Sequence, residues 1–106
     1  DTFTGADSGP LDGVVENRFE RSHPNPFRGQ TSLSFAIVHS GLVKLRIYDI
    51  GGRLVTTLVD DPVEAGRHTV HWDGRTASGR RAASGIYFAR FTAGSFHQVR
   101  RITLLR

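Results

Sequence analysis

The chain has 106 residues and a formal net charge of +4, with 38% hydrophobic and 9% aromatic residues. This composition excludes a chain that is disordered as a whole and predicts one soluble globular domain. It has no cysteine, which excludes disulfides and thiolate metal sites, and no apolar run near the roughly 18 residues of a transmembrane segment. The basic residues are arginines except for Lys44 and form no concentrated patch; because GC-rich codon usage gives the same bias, we expect no nucleic-acid partner.

Residues 1–18 are predicted to be a linker or an extended N-terminal arm. This stretch begins with acidic and glycine residues and lacks hydrophobic periodicity, which is typical of a connection. The chain starts at Asp1 without a signal peptide, so we expect a processed chain or a fragment. The domain is predicted to span 19–106, and the two prolines that flank Asn25 favour extended or turn geometry before its first strand.

Apolar residues then alternate with polar ones in successive segments, which is the pattern of half-buried strands. The first strand is predicted at 32–37 and the second at 43–48, after a turn at 39–41. Gly51-Gly52 predicts a tight hairpin, because glycine accepts the positive φ of such turns. The third strand is therefore expected at about 53–59.

Turn residues also separate the later strands. Asp60-Asp61-Pro62 is predicted to end the third strand, and Ala65-Gly66 turns the chain into a fourth at 67–72. A strand around Tyr87 follows a long polar loop, and Ala93-Gly94-Ser95 predicts a hairpin into the last strand at 96–105. No segment combines helical apolar spacing with helix caps.

The fold is therefore predicted to be all-β, an antiparallel Ig-like or fibronectin III-like β-sandwich of six to seven strands. Trp72 is predicted to fill the space between the two sheets. The predicted core consists of inward-facing residues of the strands: Leu33, Phe35, Ile37, Val43, Leu45, Ile47, Val70, Trp72, Tyr87, Phe91, Ile102 and Leu104.

The loop between Trp72 and Gly85 is rich in Gly, Ser and Arg, and three interpretations compete for it. A calcium loop needs several carboxylates, but Asp73 is the only one here. A phosphate loop leads into a helix, whereas this loop leads into a predicted strand. We therefore expect a structural connection that carries the chain from one sheet to the other.

We predict neither catalytic nor metal-binding residues, and no cofactor. His68 and His71 are three residues apart on a strand, which places them on opposite faces. The acidic residues around Pro62 lie in a predicted solvated turn and do not face each other across a cleft. No serine lies in a Gly-x-Ser-x-Gly elbow, so we expect that the domain is not an enzyme.

Cationic and aromatic residues of three predicted strands form the candidate interaction surface. A face of this composition is suited to an acidic protein partner, a carbohydrate or a lipid-linked sugar. The alternative is an ordinary charged exterior that prevents sheet-edge pairing. The residues are Lys44, Arg46, Tyr48, Phe88, Arg90, Arg100 and Arg101.

Several short motifs occur in a specific order: Asn-Pro-Phe at 25–27, Tyr-Asp-Ile-Gly-Gly-Arg at 48–53, Trp-Asp-Gly at 72–74, Ser-Gly-Ile-Tyr-Phe at 84–88, and a basic closing strand. In this order they resemble C-terminal modules of secreted bacterial proteins. Such modules are similar to the Ig-like domain of the flagellar hook-cap protein and to the C-terminal sorting domains of the type IX secretion system. The resemblance covers about 19–106. The chain departs from the usual pattern after Phe27 and at Thr76.

The resemblance implies a non-catalytic C-terminal module of a secreted or cell-envelope protein of a Gram-negative-type bacterium, acting in export, sorting or surface attachment. Its partner would be a larger parent protein, the export machinery or an envelope assembly, and a sortase-like protease would cut before Phe19. One alternative is a structural interaction module that is retained in a larger extracytoplasmic assembly, docking by its outer face or by strand addition of its arm. Another is a carbohydrate-binding module that uses Tyr48 and Phe88.

Overall fold

The structure is a computed structural model that describes residues 14–106, so most of the arm predicted at 1–18 lies outside the described residues. The strands form a three-stranded sheet in the order β1-β2-β5 and a four-stranded sheet in the order β4-β3-β6-β7. All strand pairs are antiparallel, which confirms the predicted antiparallel β-sandwich. The strands are β1 (Arg18–Phe19), β2 (Thr31–Ile37), β3 (Gly41–Asp49), β4 (Leu54–Val63), β5 (Gly66–Trp72), β6 (Gly85–Ala93) and β7 (Phe96–Leu104).

Glycines form the turns of both hairpins in the four-stranded sheet. Gly52, between β3 and β4, has a φ of +88°, and Gly94, between β6 and β7, has a φ of +60°. Both values lie in the left-handed region, which glycine enters without strain. The connections β2–β3, β4–β5 and β5–β6 pass from one sheet to the other, so the loop after Trp72 does connect the two sheets.

Strand β4 is longer than predicted. It continues through Asp60-Asp61-Pro62 to Val63, where the sequence predicts a break. Among the described strands, β4 is an edge strand with one neighbour, β3. An edge position tolerates proline because the missing N–H group can face away from the partner. The pairing with β3 is irregular at two points, between Leu45 and Arg46 and between Ile47 and Tyr48.

The segment before the first predicted strand belongs to the sandwich from at least Val14, which is buried. The amide of Val38 donates a 2.8 Å hydrogen bond to the side-chain oxygen of Asn17. Phe19 pairs with β2, and its ring stacks on Phe91 at a centroid distance of 5.2 Å. The extent of an N-terminal arm stays a prediction.

The core lies between the two sheets and includes the predicted residues, except that Val70 is only partly buried at its margin. Trp72 is 1% exposed and donates a 2.9 Å hydrogen bond from Nε1 to the carbonyl of Arg75. The Tyr87 hydroxyl donates a 2.6 Å bond to the carbonyl of Ala83, an arrangement like the tyrosine corner of Ig folds. Buried residues that the period-two pattern missed include Phe19, Phe27 and Ala82.

The Asn-Pro-Phe segment lies along one half of the β7 edge. The side-chain Nδ2 of Asn25 donates to the carbonyl of Arg101, and the side-chain Oδ1 of Asn25 accepts from the backbone amide of Thr103, each at 2.9 Å. The amide of Phe27 donates to the carbonyl of Thr103, and the amide of Leu105 donates to the carbonyl of Phe27. These four bonds satisfy three backbone groups of β7 and the amide of Leu105, which no other strand of residues 14–106 reaches.

Candidate interaction surface

The solvent side of the four-stranded sheet, here called the outer face, brings together most of the predicted surface residues. On β3, Lys44, Arg46 and Tyr48 alternate with side chains that are fully buried in the core. On β6, Phe88 and Arg90 alternate with buried residues in the same way. Because successive side chains of a strand point to opposite faces, these five residues all face solvent.

The strand register places these side chains beside one another. Arg46 lies opposite Arg90, and Tyr48 lies opposite Phe88. On the next strand pair, Phe88 lies opposite Arg101. Residues directly opposite on antiparallel strands have Cβ atoms about 5 Å apart, so an aromatic pair lies next to a pair of arginines.

The structure corrects the prediction for Arg100, which does not lie on the outer face. Arg100 pairs with the buried Ala89, and its Nε donates a 3.0 Å hydrogen bond to the carbonyl of Phe19. Adjacent residues on a strand must point to opposite sides. Arg101 therefore faces outward, whereas Arg100 connects the edges of the two sheets.

Two adjacent grooves cross the outer face and share Tyr48 and Arg90. A cationic groove of about 320 Å³ lies beside an apolar groove of about 370 Å³. The cationic groove is lined by Lys44, Arg46, Tyr48, Arg90, Thr92 and His97. The apolar groove is lined mainly by Tyr48, Ile50, Phe88, Arg90 and Val99.

The residues that sequence reasoning missed on this face are His97, Val99 and Ile50. The turn at Ala93-Gly94-Ser95 contained the signal for two of them, because a hairpin closed there pairs His97 with Thr92 and Val99 with Arg90. Ile50 is 73% exposed and follows β3, where no periodicity predicts its direction.

The outer face carries more positive charge than its carboxylates neutralise. Arg46 forms a long ion pair with Asp60, at 3.9 Å, and its buried Nε has no hydrogen-bond partner. Among residues 14–106, no carboxylate lies within 4.0 Å of Lys44, Arg90 or Arg101. A sheet face with unpaired cations produces a positive potential that attracts anionic groups.

Two titratable groups near this surface have shifted pKa values. The pKa of Asp49 is lowered, first by the hydrogen bond from the backbone amide of Arg53. The pKa of Tyr87 is raised above 10.0, first by burial and then by the charge of Asp49. Asp49 thus stays ionised and Tyr87 stays neutral at physiological pH, which suits their roles as hydrogen-bond acceptor and donor in the fold.

Two side chains of the loop between β5 and β6 form hydrogen bonds with the loop's own backbone. The side chain of Arg75 donates to the carbonyl of Gly79, and Asp73 accepts from the amide of Arg75. These contacts support the interpretation of the loop as a structural connection. In the described part of the chain, no three His, Cys, Asp or Glu side chains are grouped to hold a metal ion.

The two neighbouring histidines of β5 have separate surroundings. His68 stacks on Phe35 and its Nε2 lies 2.7 Å from the carbonyl of Glu64. His71 lies 3.1 Å from the hydroxyl of Ser32.

Residues 14–106 contain no helix that is long and apolar enough to cross a membrane.

Comparison with known families matches residues 24–95 to the model of the FlgD Ig-like domain. The match contains β2 to β6 and the Asn-Pro-Phe segment, but it ends before β7. No curated protein sequence matches the chain.

Three solved structures share the fold. Latent dimeric PorU from Porphyromonas gingivalis superposes with a TM-score of 0.66 at 19% identity, over 92% of this chain and 10% of PorU. PorZ, a surface component of the type IX secretion system of the same bacterium, has a TM-score of 0.54 at 24% identity, over 97% of this chain and 13% of PorZ. The hook-capping protein FlgD from Xanthomonas campestris has a TM-score of 0.50 at 24% identity, over 88% of this chain and 70% of FlgD.

Proposed function

The chain belongs to the family of FlgD Ig-like domains, and from this premise we propose that it is a non-catalytic C-terminal module of a secreted or cell-envelope bacterial protein. In this proposal the module acts in export, sorting or surface attachment. Its span of about a tenth of PorU and PorZ supports a role as one part of a larger protein. The likeness to these proteins establishes fold, so the function is argued from the surface.

The observation that carries the proposal is the composition of the outer face. Lys44, Arg90 and Arg101 share this face with the half-buried Tyr48 and Phe88. Among residues 14–106, none of these three cations has a carboxylate within 4.0 Å. Arginine and aromatic side chains are enriched at protein interfaces, where they combine buried area with directed polar contacts. A docking partner with acidic and apolar groups would cover both grooves at once.

The test uses the full parent protein in the bacterium that encodes it. In Lys44→Glu/Arg90→Glu, the outer face loses two cations and gains two anions, which should reduce the amount of protein at the cell surface and in the medium by about fivefold or more. Immunoblots of cell, surface and medium fractions measure this amount.

The matched control is Arg80→Glu/Arg81→Glu, which makes the same change of charge on exposed residues of the β5–β6 loop. It should leave the distribution within about twofold of wild type, because a distant charge changes only the long-range field. Equal distributions for both variants, with equal thermal stability, would refute the docking role of the outer face.

A second candidate is a structural interaction module that is retained in an extracytoplasmic assembly. It is favoured by the packing of Val14, Asn17 and Phe19 into the sandwich, because a protease cutting at 14–18 must first unfold β1. Mass spectrometry of the mature protein separates the two candidates. Peptides from β2 to β7 in the mature protein indicate retention, and their absence indicates a removed sorting domain.

A further inference from the structure

We propose that the first half of β7 accepts a short β-strand from an acidic partner, so that the partner extends the four-stranded sheet. This inference rests on the proposed function and specifies how the partner binds. Within residues 14–106, β7 is an edge strand whose only neighbour in the sheet is β6. An edge strand presents backbone donors and acceptors to any extended segment that approaches it.

The register identifies which backbone groups point outward. In an antiparallel pair, residues opposite each other alternate between hydrogen-bonded pairs and pairs whose N–H and C=O groups point away from each other. The carbonyl of Arg101 and the amide of Thr103 bond to Asn25, outside the sheet. Outward and inward backbone groups alternate along β7. His97 and Val99 are separated from Arg101 by even numbers of residues, so they also direct their backbone groups away from β6.

The second half of the β7 edge is covered by another segment of the chain, whereas the first half is open. Asn25 and Phe27 occupy the edge from Arg101 to Leu105. Within residues 14–106, no backbone group bonds to the outward groups of His97 or Val99. The open half is therefore about five residues long, or about 17 Å at 3.4 Å per residue.

The opposite edge of the same sheet is protected. β4 contains Pro62, which has no N–H group, and the carbonyl of Val55 accepts from the amide of Ala77. The irregular register with β3 further disturbs the row of edge groups. Charges, proline and bulges are the devices by which proteins prevent edge pairing, and the first half of β7 has neither the proline nor a bulge.

A groove of about 310 Å³ lies beside the open half, between β7 and the chain around β1. Phe96, Gln98 and Arg100 line it from β7, and Glu16 and Glu20 line it from the other side. An added strand would direct alternate side chains into this groove. Arg18 also lines the groove, so its two glutamates and two arginines balance in charge, and small uncharged side chains fit best.

On the solvent side of the sheet, the added strand would lie beside positively charged side chains. Its outward side chains would lie next to His97, Val99 and Arg101, with Arg90 one strand further. Acidic side chains are complementary to Arg90 and Arg101. The partner segment therefore alternates acidic and apolar residues, with the acidic ones on the outer face.

A second copy of the chain is less suited to the open half of β7 than an acidic strand. Antiparallel pairing of two β7 edges would join the outer faces of both copies, each carrying Lys44, Arg90 and Arg101, in one continuous sheet. Surfaces of the same charge repel each other. The charges thus select against self-pairing and for an acidic strand.

The probe for this inference is a capped seven-residue peptide that alternates glutamate with valine, titrated into the full chain. Saturable binding is expected, with slower hydrogen exchange at the outward amides of His97 and Val99. The amides of Gln98 and Arg100 already bond to β6 and should keep their rates. A peptide with lysine in place of glutamate should bind about tenfold or more weakly.

Val99→Pro tests the backbone contact directly. Proline removes the outward N–H group without removing a bond to β6, so the fold should persist while peptide affinity falls about tenfold or more. The control is Val99→Thr, which keeps the N–H group and a side chain of similar shape and should bind within about threefold of wild type. Circular dichroism checks the fold of both.

Several results would overturn the inference: no saturable binding of the glutamate peptide, equal affinity for Val99→Pro and wild type, protection that maps to β5, or a wild-type dimer joined through β7 in sedimentation experiments. The proposed function fails separately. If Val99→Pro loses peptide binding but the Lys44→Glu/Arg90→Glu parent protein reaches the surface normally, strand addition stands and the docking role of the outer face does not.

Discussion

Asp49 shows how a single side chain organises a turn of this domain. Its Oδ1 accepts hydrogen bonds from the amides of Gly51 and Arg53, both at 2.9 Å, and its Oδ2 lies 3.2 Å from the Nε of Arg53. Asp and Asn commonly bond to backbone amides shortly after them in turns. The carboxylate therefore stabilises the connection between β3 and β4.

The stability contributed by Asp49 should depend on pH. The pKa is lowered in the folded state, so this contribution is complete above the ordinary value of 3.8 and is lost as the pH falls through the lower folded value. Urea denaturation of wild type and Asp49→Asn should give a stability difference that shrinks from about pH 5 towards about pH 2. A difference that is constant over this range would contradict the role of the charge.

The β5–β6 connection is likewise held in place by hydrogen bonds to its backbone. Gly74 has a φ of +75° and lies close to Leu104 and Arg106, and its carbonyl accepts a 2.7 Å bond from the guanidinium of Arg106. The amide of Ala82 bonds to the same carbonyl. The loop thereby holds the end of β7 against the sandwich.

Gly74→Ala and Gly79→Ala form a matched pair in this loop. Gly79 has a similar φ of +89° but open space around it, so its substitution should cost only the left-handed backbone strain of about 1–2 kcal/mol. At Gly74 a Cβ would lie 3.2 Å from Nη2 of Arg106, which should add about 1 kcal/mol of crowding. Chemical denaturation measures both, and equal losses would show that crowding is unimportant.

At the scale of the whole molecule, Trp72 links parts of the chain that are distant in sequence. Its ring contacts Phe27 at a centroid distance of 5.4 Å and Tyr87 at 5.2 Å. The indole thus joins β5, β6 and the Asn-Pro-Phe segment. Such aromatic contacts contribute beyond the area they bury, and Trp72 is the largest fully buried side chain.

Truncation of this residue should therefore destabilise the entire sandwich. Trp72→Ala is expected to lower the free energy of unfolding by about 3–5 kcal/mol, since it removes a buried aromatic and leaves a cavity. Trp72→Phe loses the hydrogen bond to Arg75 but keeps an aromatic ring in the cavity. Its loss of unfolding free energy should therefore be clearly smaller than that of Trp72→Ala. A loss below about 1 kcal/mol for Trp72→Ala would reject the residue as the centre of the core.

Local patterns along the chain are enough to predict the class of fold, most inward residues of the strands and both hairpins. Period-two alternation and glycine turns are local properties that each strand carries whatever its neighbours are. They also placed Lys44, Arg46 and Tyr48 on one face, because this requires only alternation along β3. The use of that face by a partner stays a proposal.

The contacts between segments that are distant in sequence depend on the assembled fold. Asn25 reaches β7 across 76 residues, Arg100 binds the carbonyl of Phe19, and β4 continues through Pro62 because it lies at an edge. No local pattern encodes these contacts, since they depend on which strands become neighbours and which edges stay free. The open half of β7 is likewise a property of the assembled sheet.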